Sequence, residues 1–378
     1  VTTNTITYVL PKLLAQGLLA LRQQAIMPRL VNRGYETIAG QKGSTISIPI
    51  PSAITVNAVS PNYVAPDTAA ISPTEVTIAL DQWWEAAFFL SDKDLMDCME
   101  GVIPMQASEA IKSLANKMDA LLFAQTVKFY GYGGTAGTTP FSTDLSAYLN
   151  VRKALNNQLA PMDPRFCVID ADAEANALQL RAFQDASFRG DTEGIINGQI
   201  GRKLGALWVM DQNVPSFTAG AAAVSFIVKA STAHAIGVKT ITTTTGGTAA
   251  MFAGDVITFA GDTQTYVLSA AASRSGGGDM TVYIEPALKI ALVGGETITI
   301  KATRRVNLLF HRDALAFASR PLADASAGLG NFQSAVDPIS GIALRLEMSR
   351  EHKRTRYSYD ILCGVGCPRP ELGAVLAG

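Results

Sequence analysis

Between residues 45 and 80 the chain takes on a two-residue hydrophobic period that proline repeatedly interrupts, and this combination leaves few folds open. Ile46, Ile48 and Ile50 alternate with Thr45, Ser47 and Pro49, while Val76, Ile78 and Leu80 alternate with Thr77 and Ala79. The pattern is that of two strands, each with one apolar face. Proline has no N–H to give to a ladder, so Pro49 and Pro51 forbid a central place in a sheet. The link carrying Pro61, Pro66 and Pro73 then reads as the loose tip of a long hairpin. Such an arm projects. Its apolar side is an aggregation hazard in a monomer and a joint when a neighbouring copy covers it. The candidate contact residues on it are Ile46, Ile48, Ile50, Tyr63, Val76 and Ile78.

Upstream, Val9, Leu10, Leu13, Leu14, Leu18, Leu21 and Ala25 recur at three- and four-residue spacings, predicting an amphipathic helix over residues 9–27 that Pro28 ends. Residues 1–35 carry Lys12, Arg22, Arg29 and Arg33 but no Asp or Glu. Leu13, Leu14, Leu18, Arg22, Arg29 and Arg33 are therefore further candidates for contact with another copy.

Downstream, Pro104 suits an early helical position. Ala107, Ile111, Leu114, Met118, Leu121, Leu122 and Gln125 follow the helical repeat for about six turns. The glycines of residues 131–137 are expected to stop this helix, and Ser142 or Thr143 to cap a second one bearing Leu145, Leu149, Leu155 and Leu159. Residues 166–169 and 207–210 read as short strands around a helix capped by Asp170 or Asp172, with Ala175, Leu178 and Phe183 on it. From 224 to 302 the chain becomes rich in Thr, Gly and β-branched residues, with strands expected at 255–259, 265–270, 280–284 and 297–300. Helical and strand patterns resume beyond 305, so this β-rich module is expected to be an insertion.

Composition narrows the chemistry. Lys plus Arg number 31 against 32 Asp plus Glu, leaving no global charge to drive binding to nucleic acid or to an anionic membrane. Cys98, Cys167, Cys363 and Cys367 are too scattered for a secreted disulfide framework. The Thr-rich start does not read as a signal peptide, and no run is apolar enough to span a bilayer. Gly131, Gly133 and Ala136 imitate a dinucleotide fingerprint but follow a helix instead of a strand. His311, Arg312 and Asp313 imitate a kinase catalytic loop, yet Ala318 stands where that loop needs Asn. Cys363 and Cys367, four apart on an expected strand, sit about 13 Å from each other, too far to share a zinc ion. No catalytic residue, metal site or cofactor site is expected. Arg345, Arg350, Lys353, Arg354 and Arg356, interspersed with Glu347 and Glu351, form a mixed basic hairpin whose default reading is a solvated turn, with phosphate contact as the alternative.

Several segments together resemble the coat proteins of short-tailed phages of the P-twenty-two type, which have the Hong-Kong-97-type capsid fold. The run Arg356-Tyr-Ser-Tyr-Asp-Ile-Leu-Cys-Gly-Val-Gly-Cys-Pro-Arg-Pro-Glu-Leu372 is similar to that family's closing strand, with Asp360, Gly364, Val365, Arg369, Pro370 and Glu371 at the recurring positions. Phe310-His-Arg-Asp-Ala314 with Phe317 resembles the return from the family's insertion. Gly198-Gln-Ile-Gly-Arg-Lys-Leu-Gly205, followed by Asn213-Val-Pro215, resembles the stretch before it.

The resemblance implies an α+β fold with a long spine helix, an extended β-hairpin arm and a β-rich insertion. It divides the chain into an N-terminal arm (1–35), extended loop (36–90), peripheral domain with the spine helix (91–141), central axial domain (142–223 and 303–378) and insertion domain (224–302). It implies a major capsid protein, not an enzyme and without cofactor, that assembles in the host bacterial cytoplasm into an icosahedral procapsid and mature head. The implied partners are other copies in pentamers and hexamers, a scaffolding protein, a portal, decoration proteins and non-specifically contacted double-stranded DNA, with no membrane. The rival readings are another phage structural component, such as a tail or decoration protein, and an α/β enzyme with a β-rich lid.

Overall fold

The computed structural model describes residues 26–34, 45–51, 54, 56, 71, 73–97, 102–185, 198, 200–222, 226–322, 331–336 and 342–378. The chain forms two compact units. The first takes the described parts of Arg33–Ala110 and Ala316–Pro368; the second takes those of Leu19–Asn32, Ile111–Leu315 and Arg369–Gly378.

The first unit is built on one long strand, Arg354–Gly366. Along one edge it pairs antiparallel with Gln82–Ser91, from Arg354 opposite Ser91 to Cys363 opposite Gln82. Along the other edge it pairs with Ala343–Glu351 and then with Ala316–Arg320. Asn331–Val336 extends the sheet beyond Ala343–Glu351. The strands between Ala316 and Gly366 therefore pack with Gln82–Ser91, whereas the resemblance placed 303–378 with 142–223. Ten consecutive cross-strand pairs to Gln82–Ser91 decide this, because each pair satisfies backbone groups that sequence neighbours cannot reach.

In the second unit a sheet runs in the order Gly131–Gly134, Gly373–Ala377, Arg304–His311, Arg165–Ile169, Ala206–Met210 and Arg202–Lys203. Gly131–Gly134 lies parallel to Gly373–Ala377, and Arg165–Ile169 parallel to Ala206–Met210. Helix Ser146–Asn157 buries Tyr148, Val151 and Leu155. Trp208 is the centre of an aromatic cluster, stacked 4.8 Å from Tyr148 and flanked by Phe141 and Phe183. The long helix is Val102–Gln125, and its buried Ala107, Ile111, Leu114, Met118 and Leu122 match the expected apolar stripe.

The β-rich module is a closed barrel. Its strands run in the order Phe226–Val228, Thr240–Thr245, Gly278–Glu285, Tyr266–Leu268, Val256–Phe259 and Thr297–Ile300, and Phe226 opposite Ile298 closes the ring. Closure leaves no free edge within the ring. Alternate residues such as Met280, Val282 and Ile284 fill the interior with Ile257, Phe259, Tyr266 and Leu268. The strand Thr240–Thr245 was not foreseen, because its inward positions Thr243 and Thr245 are polar. The Thr243 hydroxyl donates to the Met280 carbonyl (3.1 Å) and that of Thr245 to the Gly247 carbonyl (3.0 Å), which makes their burial tolerable. The barrel is seated on its unit through Tyr130, Val256 and Val267, and through the buried Arg304, which donates to the Gly254 carbonyl (3.2 Å) and lies over Phe217.

Pro28 lies in the first turn of the short helix Met27–Leu30, where its missing N–H costs nothing, while residues 9–25 of the expected helix lie outside the described residues. Two local expectations are corrected. The glycines after the long helix do not stop it; the helix passes into a 3-10 turn at Thr126–Lys128, and Gly131–Gly134 is a strand. A Cβ at Gly131 would lie 2.7 Å from that of Ala374, and one at Gly133 2.6 Å from a Val151 methyl, so close packing selects glycine here. Helix Ser146–Asn157 is capped by neither Ser142 nor Thr143; the Asp144 carboxylate accepts from the Ser146 N–H (2.8 Å). The Asp170 cap does form, accepting from Ala173 N–H at 3.2 Å.

The turn after helix Ser146–Asn157 hangs on the buried Arg165, which donates to the Pro161 and Ala160 carbonyls (both 2.7 Å) and to Asn156 (2.9 Å). Arg165→Met keeps the aliphatic volume but strands two carbonyls. It is expected to lower unfolding free energy by about 3 kcal/mol in chemical denaturation.

Candidate interaction surface

The hairpin is present, with Thr45–Ile50 antiparallel to Thr74–Ala79 and Ile46 opposite Ile78, Ile48 opposite Val76 and Ile50 opposite Thr74. Its base is covered from within its own unit. Ile46, Ile48, Ile78 and Leu80 form a buried cluster with Ala316 and Ala318. Beneath them the long strand contributes Gly364 and Gly366: a Cβ at Gly364 would lie 2.5 Å from the Ala79 carbonyl oxygen, and one at Gly366 3.0 Å from Ile78. Small residues on one surface thus let the isoleucines of the other reach the backbone, and burying each contributes about 1.5–3 kcal/mol.

This geometry corrects part of the expectation. Ile46, Ile48 and Ile78 are covered by the five-stranded sheet of their own unit and have no surface left for a neighbour. Cover fades along the hairpin, since Ile50 and Val76 are only half-buried. Beyond the paired residues the apolar side chains stand in solvent, with Ile54 74%, Val56 95% and Ile71 76% exposed. These residues were missed because they lie in a proline-broken link without a period. Arg29 is exposed on its short helix and Arg33 half-buried. Leu13, Leu14, Leu18, Arg22 and Tyr63 lie outside the described residues.

The strand Gln82–Ser91 adds exposed aromatic surface at Trp83 (61%) and Phe89 (61%). Phe88 stacks on Tyr357 at 5.2 Å, and the Arg354 guanidinium lies 4.9 Å from the Phe89 ring centre. Consecutive Trp83 and Trp84 point to opposite faces of a strand, so at least one had to meet a surface that a single sheet does not cover; that signal was legible.

Four of the basic residues nearby are paired. Arg345 pairs with Asp360, Arg350 with Asp92 (2.5 Å), Arg354 with Glu351 and Arg356 with Glu85, whose carboxylate also accepts from the Ser358 hydroxyl. The hairpin of residues 343–366 is an ion-pair ladder, in keeping with its default reading. His311, Arg312 and Asp313 likewise hold structure: Arg312 donates to the Val31 carbonyl (3.4 Å), and Asp313 accepts from the Asn32 amide (2.6 Å). Burial pushes the Cys363 thiol up to about 12, aided by Asp81, and raises that of Cys167, so neither is a poised nucleophile. Among the described residues no group of three or more His, Cys, Asp or Glu could hold a metal ion, and no helix is long and apolar enough to cross a membrane.

The family model described as phage capsid protein matches residues 73–291, which spans the hairpin's second strand, the long helix and most of the barrel. The chain belongs to the phage capsid protein family. Solved structures similar to this capsid protein include a chain from Mycobacterium phage Che8, 16% identical with a TM-score of 0.52, covering 93% of this chain and 90% of that one. Another, from the capsid structure of the Cyanophage P-SCSP1u, is 15% identical with a TM-score of 0.52 and covers 93% and 87%. At these identities the likeness is one of fold, the mixed α+β fold of phage capsid proteins. No curated protein matches this capsid protein.

The small-residue floor beneath the hairpin is directly testable. Gly364→Val drives a branched side chain into the Ala79 carbonyl and is expected to cost about 1–3 kcal/mol, with hairpin amides losing protection first in hydrogen exchange.

Proposed function

We propose that this protein is the major coat protein of a tailed phage, of the P-twenty-two type with the Hong-Kong-97-type fold, and that its copies form an icosahedral procapsid that expands into the mature head. The observation that carries this reading is the hairpin: its isoleucines are seated on the five-stranded sheet at the base, while Ile54, Val56 and Ile71 beyond the paired strands are exposed. A monomer gains nothing from solvated branched side chains on a projecting arm. A second copy that covers them gains the burial of each, and a closed shell multiplies such modest contacts, because removing one subunit breaks several at once.

In this reading residues 1–35 are the N-terminal arm, 36–90 the extended loop, the long helix the spine of the peripheral domain and 224–302 the insertion. The strands Ala316–Arg320, Ala343–Glu351 and Arg354–Gly366 go with the extended loop, on the strength of the pairing of Arg354–Gly366 with Gln82–Ser91. The role is structural, without catalysis or cofactor. Pentamers and hexamers of this chain would meet a scaffolding protein, a portal and decoration proteins, and packaged double-stranded DNA would be contacted non-specifically, in particles assembled in the host cytoplasm. The ion-pair ladder of Arg345, Arg350, Arg354 and Arg356 argues against that hairpin as the DNA-facing patch, since neutralising phosphate would cost four existing pairs.

The test is electron microscopy of the purified protein beside a variant carrying Ile54→Ser, Val56→Ser and Ile71→Ser. Wild type is expected to give spherical shells or polyheads. The variant is expected to keep its subunit stability within about 0.5 kcal/mol, as exposed positions do, and to give no closed particles. Shells from the variant at the wild-type rate would overturn the assignment of the hairpin tip.

A further inference from the structure

Two carboxyl groups are buried together in the second unit with no ion-pair partner among the described residues. Asp119 lies on the long helix and Asp211 just past strand Ala206–Met210, with 0% and 1% exposure. Asn213 links them: its backbone N–H donates to Asp211 Oδ1 (2.8 Å) and its side-chain amide approaches Asp119 Oδ2 (3.5 Å). That amide also reaches Asn116 on the long helix (3.2 Å). Asp211 Oδ2 is buried without a hydrogen-bond partner. The remaining donors to Asp119 come from the N-terminal part of the chain, Met27 N–H at 3.1 Å and Ile26 N–H at 3.5 Å, at the start of the short helix Met27–Leu30. Met27 itself is fully buried.

We propose that the Asp119–Asp211 pair carries a single proton and that this proton fastens the N-terminal segment at Ile26 and Met27 to the long helix. With both groups ionised, two like charges share a dry site and one oxygen lacks any donor. With one proton, the repulsion disappears and Asp119 still accepts the two backbone N–H groups. The charged and titratable residues on these elements are Asp211, Arg29 on the short helix, Glu109, Lys112 and Lys117 on the long helix, Arg304, Arg305 and His311 on strand Arg304–His311, and Arg165 with Asp170 at the two ends of strand Arg165–Ile169; of these only Asp211 shifts Asp119.

The sign follows from the docked and undocked states. Burial first, and then the Asp211 charge, push the Asp119 carboxyl up to about 7, outweighing its hydrogen bonds to Ile26, Met27 and Asn213. Burial raises Asp211 as well. In the undocked state of this proposal the two N–H donors leave and water reaches Asp119, so that its carboxyl falls back toward the ordinary value of 3.8. The docked state therefore binds the proton more tightly. Docking is strongest below the ordinary value, weakens as pH rises toward 7 and stays weak above it.

Hydrogen exchange of the full-length protein, read as protection factors for residues 26–34, tests this. Wild type is expected to lose about tenfold protection between pH 6 and pH 8, the change that a midpoint near 7 gives across that interval. Asp119→Asn, which keeps an acceptor without the charge, is expected to hold the segment equally at both pH values. Asp211→Asn, which removes the repulsion, is expected to move the loss to lower pH. A flat wild-type profile, or the same loss in Asp119→Asn, would overturn the proposal. Should Asp119→Asn fail to fold, Asp211→Asn decides alone, and an unshifted midpoint sinks the idea. Millimolar Ca²⁺ is expected to leave wild-type protection at pH 8 unchanged; restoration by the ion would make a cation, and not a proton, the occupant.

Discussion

The first unit depends on the long strand Arg354–Gly366 presenting two kinds of surface along its length. Near Arg354 it carries charged and aromatic residues that match Glu85, Phe88 and Phe89 across one edge, so pairing there is fixed by side chains as well as by backbone. Near Gly366 it loses its side chains, and with Ala316 and Ala318 beside it the sheet becomes a shallow floor. Ile46, Ile48 and Ile78 fit that floor because nothing stands above the backbone to hold them off. A hairpin is marginal alone in water. Here its base borrows stability from the sheet, and the remainder of its apolar face is left to be covered by something else.

The second unit handles polarity differently. Its barrel closes on itself and satisfies inward threonines within the ring, so it needs no covering partner for its strand edges. The sheet that carries it buries Asn307, whose side-chain oxygen accepts from Asp170 N–H (2.7 Å), and Arg165, whose donors are absorbed by a single turn. Asp119 and Asp211 are buried acids of this unit with no ion-pair partner among the described residues.

Much of the architecture was legible in the sequence because periodicity reports burial directly. The alternation at residues 45–50 and 76–80 gave the hairpin, the stripe from Ala107 to Leu122 gave the long helix, and Met280, Val282 and Ile284 gave a barrel strand. The strand Thr240–Thr245 escaped because threonines that bond within the barrel look like loop residues. The glycines at 131–134 escaped because a helix stop and a crowded strand select the same residue.

The sequence by itself determined which residues have to leave water and in what local geometry, since hydrophobic period and proline placement act within a few residues of each other. Only the tertiary structure decided what covers them. That Ile46, Ile48 and Ile78 meet Gly364, Gly366 and the alanines of Ala316–Arg320, while Ile54, Val56 and Ile71 meet nothing in the described chain, depends on contacts more than 200 residues apart in sequence. An alternating strand carries the same pattern whether its cover comes from its own chain or from a neighbour, because burial depends on apolar area and not on whose it is.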